Sequence, residues 1–294
     1  MFCCFSATEH CPPLVTQATR AYGDMEAQNM LKSIRKFLSP KEARPLPQVP
    51  PGERIYAVGD IHGRLDLLTP LAAAIEADDA ARGPAQTTIV LLGDLIDRGP
   101  ESAGVVAFAR DWQARRAVRL ICGNHEEKFL QSFDDADIFR NFLRYGGDET
   151  VLSYPVDAQA FRAADFAEAQ TLMSEAVPRE DIEFIEGFED FVVVGDYLFV
   201  HAGIRPGAAI EDQSVKDLRW IREPFLSHSG WHGHVVVHGH SIADEPELSH
   251  NRIGIDTGAY MSGRLTALGI EGDQRWLIET SEHEGAIAVT TRSA

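Results

Sequence analysis

Residues 119–127, RLICGNHEE, run from a short apolar stretch into an amide, an imidazole and a carboxylate. Asn124, His125 and Glu126 follow Gly123 at the point where a buried strand would end. The same event recurs along the chain. VGDIHG places Asp60 and His62 after Gly59, and LLGDLIDRG places Asp94, Asp97 and Arg98 after Gly93. Two later apolar runs end at His201-Ala202-Gly203 and Gly239-His240-Ser241. A single Gly-Asp after a strand is ordinarily a turn, Asp97-Arg98 alone could be a surface ion pair, and a lone strand-end histidine is more often a core residue than a ligand. Five such ends together imply a shared site, because open α/β sheets bind ligands at the carboxyl ends of their strands.

From these ends a candidate ligand set of two aspartates, an asparagine and three histidines can be drawn, with no cysteine. That oxygen and nitrogen donor set suits Mn²⁺, Fe or Zn²⁺ and not a closed structural zinc site. Six donors exceed what one ion with an open position needs, so two ions sharing Asp94 is the economical reading. Paired ions about 3.5–4 Å apart suit in-line displacement at phosphorus. In WHGHVVVHGH, His238 and His240 face the same way along a strand, so spacing leaves the choice between them open; His232 and His234 read as loop and strand-edge residues.

The elements that must carry these residues begin at Arg54. RIYAVGD, TTIVLLGD and AVRLICGN read as buried strands, each followed by a helical stretch; Leu67, Leu68, Leu71, Ala74 and Ile75 share one face of the first, and Pro100 can start the second. The alternation implies βαβ units and a mostly parallel sheet. Residues 131–180, acidic, alanine-rich and broken by Tyr145-Gly146-Gly147, read as a helical insertion over one end of the sheet. FVVVGDYLFVHAG reads as a hairpin turning at Gly195-Asp196, and HVVVHGH, RIGIDTG, RLTALGIEG and RWLIET as further strands, in part antiparallel. Residues 1–53 divide from the rest: a basic amphipathic stretch follows Met30, and SPKEARPLPQVPPGE reads as a linker without core potential. Met25 and Met30 are plausible internal starts. The expected organisation is a leader and proline-rich linker over 1–53 and a catalytic domain over 54–294.

Composition sets the remaining limits. The chain has 294 residues, 44% of them hydrophobic, and a formal net charge of −18, so nucleic acid and anionic membranes are not expected as partners. A phosphate-bearing substrate then needs local arginines or metal ions to overcome the field. Cys3, Cys4, Cys11 and Cys122 form no CxxC pair, which argues against a disulfide framework and for a reduced, cytoplasmic setting. No apolar run is long enough to span a membrane, and MFCCFSATEH lacks the regions of a secretory signal.

GDIHG, GDLIDRG, GNHE, HAG and GHS, in that order over roughly Arg54 to Gly272, resemble the phosphoprotein phosphatase family of calcineurin-like metallophosphoesterases, and within it the compact bacterial and lambda-phage-like members. The resemblance implies an α/β fold of mixed sheets packed as a central sandwich flanked by helices. It implies that Asp60 and His62 bind a first metal, that Asp94 bridges two, and that Asn124, His201 and His240 complete the second. It also implies His125 as general acid paired with Asp97, and Arg98 as a phosphate ligand. Arg222, ahead of Arg219, would be a second phosphate arginine, and Asp256 is structural. Of the stretches that lie near substrate in the larger members, only Ala259-Tyr260 has a counterpart. Two divalent ions, Mn²⁺ first and Fe or Zn²⁺ as alternatives, would lower the pKa of a shared water toward about 7 for direct attack on phosphorus.

The implied function is a protein serine/threonine phosphatase with a phosphoprotein or phosphopeptide substrate, phosphotyrosine included, and no regulatory-subunit docking sequence. The alternatives are a symmetrical diadenosine tetraphosphate hydrolase and an inactive binding module on the same scaffold. Glu126, in GNHE where that hydrolase has GNHD, favours the phosphatase. An acidic insertion over the site would favour basic residues flanking the phosphate.

Overall fold

A computed structural model describes residues 46–294. The expected leader, the starts at Met25 and Met30 and the basic stretch after Met30 lie outside the described residues.

Strands β1 (Glu53–Val58), β2 (Gln86–Leu91) and β3 (Val118–Leu120) pair in parallel, joined by helices α1 (Leu65–Arg82) and α2 (Ser102–Arg115). Parallel neighbours need such crossovers, and the helices cover one face of the sheet. A helical segment follows: α3 (Asn124–Gln131), α4 (Ala136–Phe142), a π turn (Leu143–Gly147), α5 (Asp148–Ser153), α6 (Ala158–Ala163), α7 (Phe166–Ala176) and α8 (Arg179–Glu186). The expected insertion is therefore helical. Asp135, Asp157 and Asp165 each accept backbone N–H bonds at a helix start, so part of its acidity serves as capping.

The second sheet has the order β4-β5-β6-β8-β7, from β4 (Phe191–Val194), β5 (Tyr197–Val200), β6 (Val235–His238), β7 (Glu247–Leu248) and β8 (Arg252–Gly254). β4 and β5 form the expected hairpin, with Gly195 at φ 56°. Helix α9 (Val215–Trp220) lies between β5 and β6 in sequence, and α10 (Ala259–Ser262) precedes β9 (Arg264–Glu271). β9, β10 (Gln274–His283) and β11 (Ala286–Ser293) then add antiparallel to the free side of β1, giving the order β11-β10-β9-β1-β2-β3. β11 has no counterpart in the sequence reading: it is an exposed edge strand with little apolar alternation.

Two-sided burial explains the apolar runs. Ile55 and Ala57 face a core shared with Phe199, Val237 and Ile253 of the second sheet, whereas Tyr56 and Val58 face Leu67, Leu71 and Val105 of the helices. A strand covered on both faces has no polar alternation to show. The outer face of the second sheet packs Leu198, Val200 and Val236 against Leu218, Ile221 and Phe225. Two mixed sheets with helices outside them form the expected sandwich.

The proline-rich segment departs from expectation. Residues 46–52 are not a free linker: Val49 is buried and donates its N–H to Gly272 O at 3.0 Å, and Gln48 exchanges hydrogen bonds with Asp196. Prolines need no ladder partner, so an extended Pro-rich strip can lie along a domain wherever its few N–H groups find acceptors.

β1 carries one charge into the interior. Arg54 is fully buried; its guanidinium meets Asp79 Oδ1 at 2.6 Å and Glu271 Oε2 at 3.0 Å and donates to the carbonyls of Asp79 and Gly83. Removing Arg54 costs its hydrogen bonds but does not strand its partners, because Asp79 also pairs with Arg116 at 2.7 Å and Glu271 is partly exposed. Arg54→Met should therefore lower stability by about 1–3 kcal/mol, read as a shift of the urea midpoint; an unchanged midpoint would show that the pair contributes nothing net.

Candidate active site

Every cluster residue sits just past a strand end. Asp60 and His62 follow β1, Asp94 follows β2, Asn124 and His125 open α3 after β3, His201 follows β5 and His240 follows β6. Among the described residues six non-glycines have positive φ, and five belong here: His62, Asp94, Asp97, Arg98 and His240. Such backbone costs on the order of 1–3 kcal/mol per residue and persists only when its surroundings enforce it. Glu126 supplies much of that enforcement. Its buried carboxylate accepts from the N–H groups of Gly123, Asp94 and Leu95 at 2.9, 2.8 and 2.7 Å, tying the ends of β2 and β3 together. Burial, and then the nearby Asp94, push Glu126 up to about 7. Gly123 and Gly239 are needed for close approach: a Cβ would lie 2.1 Å from Asp94 Oδ1 at the first and 2.0 Å from Asp60 Oδ1 at the second.

The donor atoms form two groups that share Asp94: His62, Asp94 and His125 in one, Asp94, His201 and His240 in the other. His62 Nε2 lies 3.7 Å from Asp94 Oδ2, and His201 Nε2 lies 3.4 Å from Asp94 Oδ1. Asp60 is held on the same side, accepting from the His240 N–H at 3.1 and 3.0 Å. His62 and His201 donate Nδ1–H to the carbonyls of Ile96 and Leu92, both at 2.8 Å, which leaves each Nε2 lone pair facing the centre. Burial pushes the imidazoles of His62 and His240 down to about 3 and lowers His201 as well, so all three are neutral. Asp60 is raised, by burial first and then by the neighbouring Asp256 carboxylate.

This arrangement fits divalent cations. The lone pairs of His201 Nε2 and Asn124 Oδ1 sit 3.0 Å apart, with Asp94 Oδ1 beside them, and no donor between. A cation satisfies all three at once. Two cations would share the Asp94 carboxylate, with His62 on one side and His201 and His240 on the other.

His125 differs from the other imidazoles. Burial would lower it, yet Asp94 and the hydrogen bond to Asp97 outweigh that effect and raise it above the ordinary histidine value. Its Nδ1 is 2.5 Å from Asp97 Oδ2 and its Nε2 is 3.9 Å from Asp94 Oδ2. The site thus holds three neutral imidazoles suited to ligation and one suited to carrying a proton. Arg98 spans the cluster, donating to His62 Nε2 at 3.0 Å and lying 2.9 Å from His125 Nε2, with its guanidinium 4.6 Å above the Tyr260 ring.

Two open choices from the sequence are resolved by position. His240 joins the donor group, whereas His238 is buried with its ring 5.0 Å from Phe225. Arg222 lines the cleft, whereas Arg219 is turned away to Glu127 and Asp190. Asp256 accepts from the Gly258 N–H and is pushed up to about 6 by burial, behind the cluster. Sequence reasoning missed Tyr260 as the platform under Arg98, and it gave Thr150 no role. The cleft holds about 900 Å³ and includes Arg98, His125, Lys128, Trp220, Arg222 and Tyr260 in its walls.

Asp94 is the one carboxylate common to both donor groups among the described residues, which generates a direct test. Mn²⁺ at a hundredfold excess over its Kd should stabilise the protein by about 2.7 kcal/mol, and Asp94→Asn should abolish the shift in thermal unfolding relative to EDTA-treated protein. Equal shifts in both proteins would remove Asp94 as the shared ligand.

Comparison with known proteins agrees with this geometry. Over 231 residues, 72% of this chain and 88% of the relative, the sequence is 27% identical to the asymmetrical bis(5'-nucleosyl)-tetraphosphatase PrpE of Anoxybacillus flavithermus. Over 86 residues, 29% of this chain and 27% of the relative, it is 42% identical to the symmetrical bis(5'-nucleosyl)-tetraphosphatase of Yersinia pestis. The cold-active protein-tyrosine phosphatase of a psychrophilic Shewanella shares the fold, with a TM-score of 0.51 and 18% identity over 84% of each chain. A model of the calcineurin-like phosphoesterase family matches residues 53–257, and the chain belongs to that family.

Proposed function

We propose that the protein is a metal-dependent phosphatase that hydrolyses phosphate esters on protein side chains by direct attack of water. The observation that carries this reading is His125: an imidazole oriented by Asp97, raised above the ordinary histidine value and set against the carboxylate shared by both donor groups. Asp60, His62, Asp94, Asn124, His201 and His240 would hold two divalent ions. When bound, these supply Lewis acidity and a water acidic enough to act as nucleophile near neutral pH. Arg98 and Arg222 neutralise the equatorial phosphate oxygens, Arg98 turning from the two imidazoles to do so. His125 gives its Nε2 proton to the departing alkoxide, and Asp97 fixes the ring while stabilising its positive charge.

The cleft rim favours a peptide. Lys128, Lys216 and Arg222 alternate there with Asp217 and Glu223, beside apolar Ile221 and Ile242. Mixed sign and apolar surface suit a polypeptide better than a tetraphosphate, which wants cations throughout. Glu126 does not carry the distinction assigned to it from sequence, because its carboxylate is buried on backbone N–H groups and turned from the cleft. The second reading, a dinucleoside tetraphosphate hydrolase, is favoured by the tetraphosphatase relative matched over 88% of its length and by Trp220, Tyr145 and Tyr260, which could stack a base.

Protein stripped with EDTA and reloaded with Mn²⁺ should release phosphate from phosphoserine and phosphotyrosine peptides faster than it cleaves diadenosine tetraphosphate, whose products are nucleotides (two ADP, or ATP and AMP) and are read by chromatography. Turnover of the dinucleotide alone would leave the site intact and replace the substrate. His125→Asn should lower kcat on the phosphoserine peptide about 100–10,000-fold with little change in KM; a change confined to KM would show that His125 only binds.

A further inference from the structure

The insertion reaches the reacting groups through two residues. Asp97 and Arg98 are consecutive non-glycine residues at φ 73° and 70°, a backbone that does not hold itself. Three contacts from the segment 143–153 hold it. The Arg98 N–H donates to Gly146 O at 2.9 Å, the Asp97 N–H donates to Thr150 Oγ1 at 2.9 Å, and Thr150 Oγ1 donates to Asp97 Oδ1 at 2.5 Å. Gly146 must be glycine twice over. Its φ is 99°, and a Cβ would lie 2.7–3.0 Å from Arg98 Cγ, N and Cα. Thr150 is fully buried and also meets Ser102 Oγ at 3.1 Å, while Ser153 Oγ accepts from the Ala103 N–H, so α5 is bolted to the start of α2.

We propose that Thr150 and Gly146 are positioning residues for catalysis, through which the insertion sets the plane of the Asp97 carboxylate and the station of Arg98. Asp97 Oδ2 is taken by His125 Nδ1, and among the described residues Thr150 alone donates to Oδ1. Two oxygens with one partner each fix the carboxylate plane, and that plane aims the His125 ring. Without the hydroxyl the carboxylate turns about its Cβ–Cγ bond, and the ring loses its aim at the leaving oxygen. The step affected is the one in which the P–O bond breaks, its electron pair passes to the leaving oxygen, and Nε2 gives that oxygen its proton. The π turn and kink at Tyr145-Gly146 are what bring α5 close enough to do this.

This inference rests on His125 acting as general acid, so the test uses two esters that differ in their need for a proton. A serine phosphate leaves as a basic alkoxide that must be protonated; p-nitrophenyl phosphate leaves as a stable phenolate. Thr150→Val, nearly isosteric, should lower kcat on a phosphoserine peptide about 10–100-fold and leave kcat on p-nitrophenyl phosphate within about threefold. Thr150→Ser should restore the wild-type ratio. Gly146→Ala should raise KM for both esters about equally, since it displaces Arg98 and not the acid. Equal loss on both esters in folded Thr150→Val would overturn the proposal, as would Thr150→Ser failing to restore the ratio. Absence of metal-dependent turnover of either ester by the wild type would overturn the parent reading instead. If Thr150→Val does not fold, the ratio in Thr150→Ser and the KM of Gly146→Ala decide.

Discussion

Crowded negative charge is the constraint on which this structure turns. Asp60, Asp94, Asp97, Glu126 and Asp256 are each buried within one strand-end cluster. Carboxylates brought out of water and next to one another repel and lose hydration, so each needs a specific answer. Glu126 takes three backbone N–H groups, Asp97 takes a hydroxyl and an imidazole, and Asp60 takes the His240 N–H. Asp94 takes the backbone N–H of His125. At Asp94 and His240 the left-handed backbone aims an N–H at a carboxylate, whereas at His62, Arg98 and Asp97 the N–H meets a carbonyl or a hydroxyl.

The same constraint separates the roles of the histidines. Four imidazoles surround one carboxylate, yet burial lowers three of them, whereas Asp94 and the hydrogen bond to Asp97 raise the fourth, His125. Residue type alone does not distinguish a ligand from an acid. The carbonyls of Ile96 and Leu92 behind His62 and His201, against the carboxylate of Asp97 behind His125, do.

Much of this was legible in the sequence because the site lies where local patterns end. Gly-Asp, Gly-Asn and Gly-His after apolar runs mark strand ends, and strand ends in α/β proteins gather on one side. The strands of the sandwich core were legible as apolar runs for the same reason that they are buried on two faces. What was not legible depends on contacts between distant segments. Thr150 lies 53 residues from Asp97, and nothing around it sets it apart from any helix threonine. His238 and His240 could not be separated by strand period, because the strand ends at His238 and the backbone reverses sense at His240, φ 61°. Residues 46–52 read as a linker because prolines hide a strip whose hold is a few hydrogen bonds, and β11 went unread because an exposed edge strand needs no apolar alternation.

The division of the cluster between the sheets has a mechanical meaning. Asp60, Asp94 and Asn124 end strands of the six-stranded sheet, whereas His201 and His240 end strands of the five-stranded one. Side chains from the two layers meet at one mouth of the sandwich, where the cleft interrupts the apolar packing. An ion seated there would tie the two layers together as well as serve the chemistry. Metal occupancy and the stability of that end of the sandwich would then be linked.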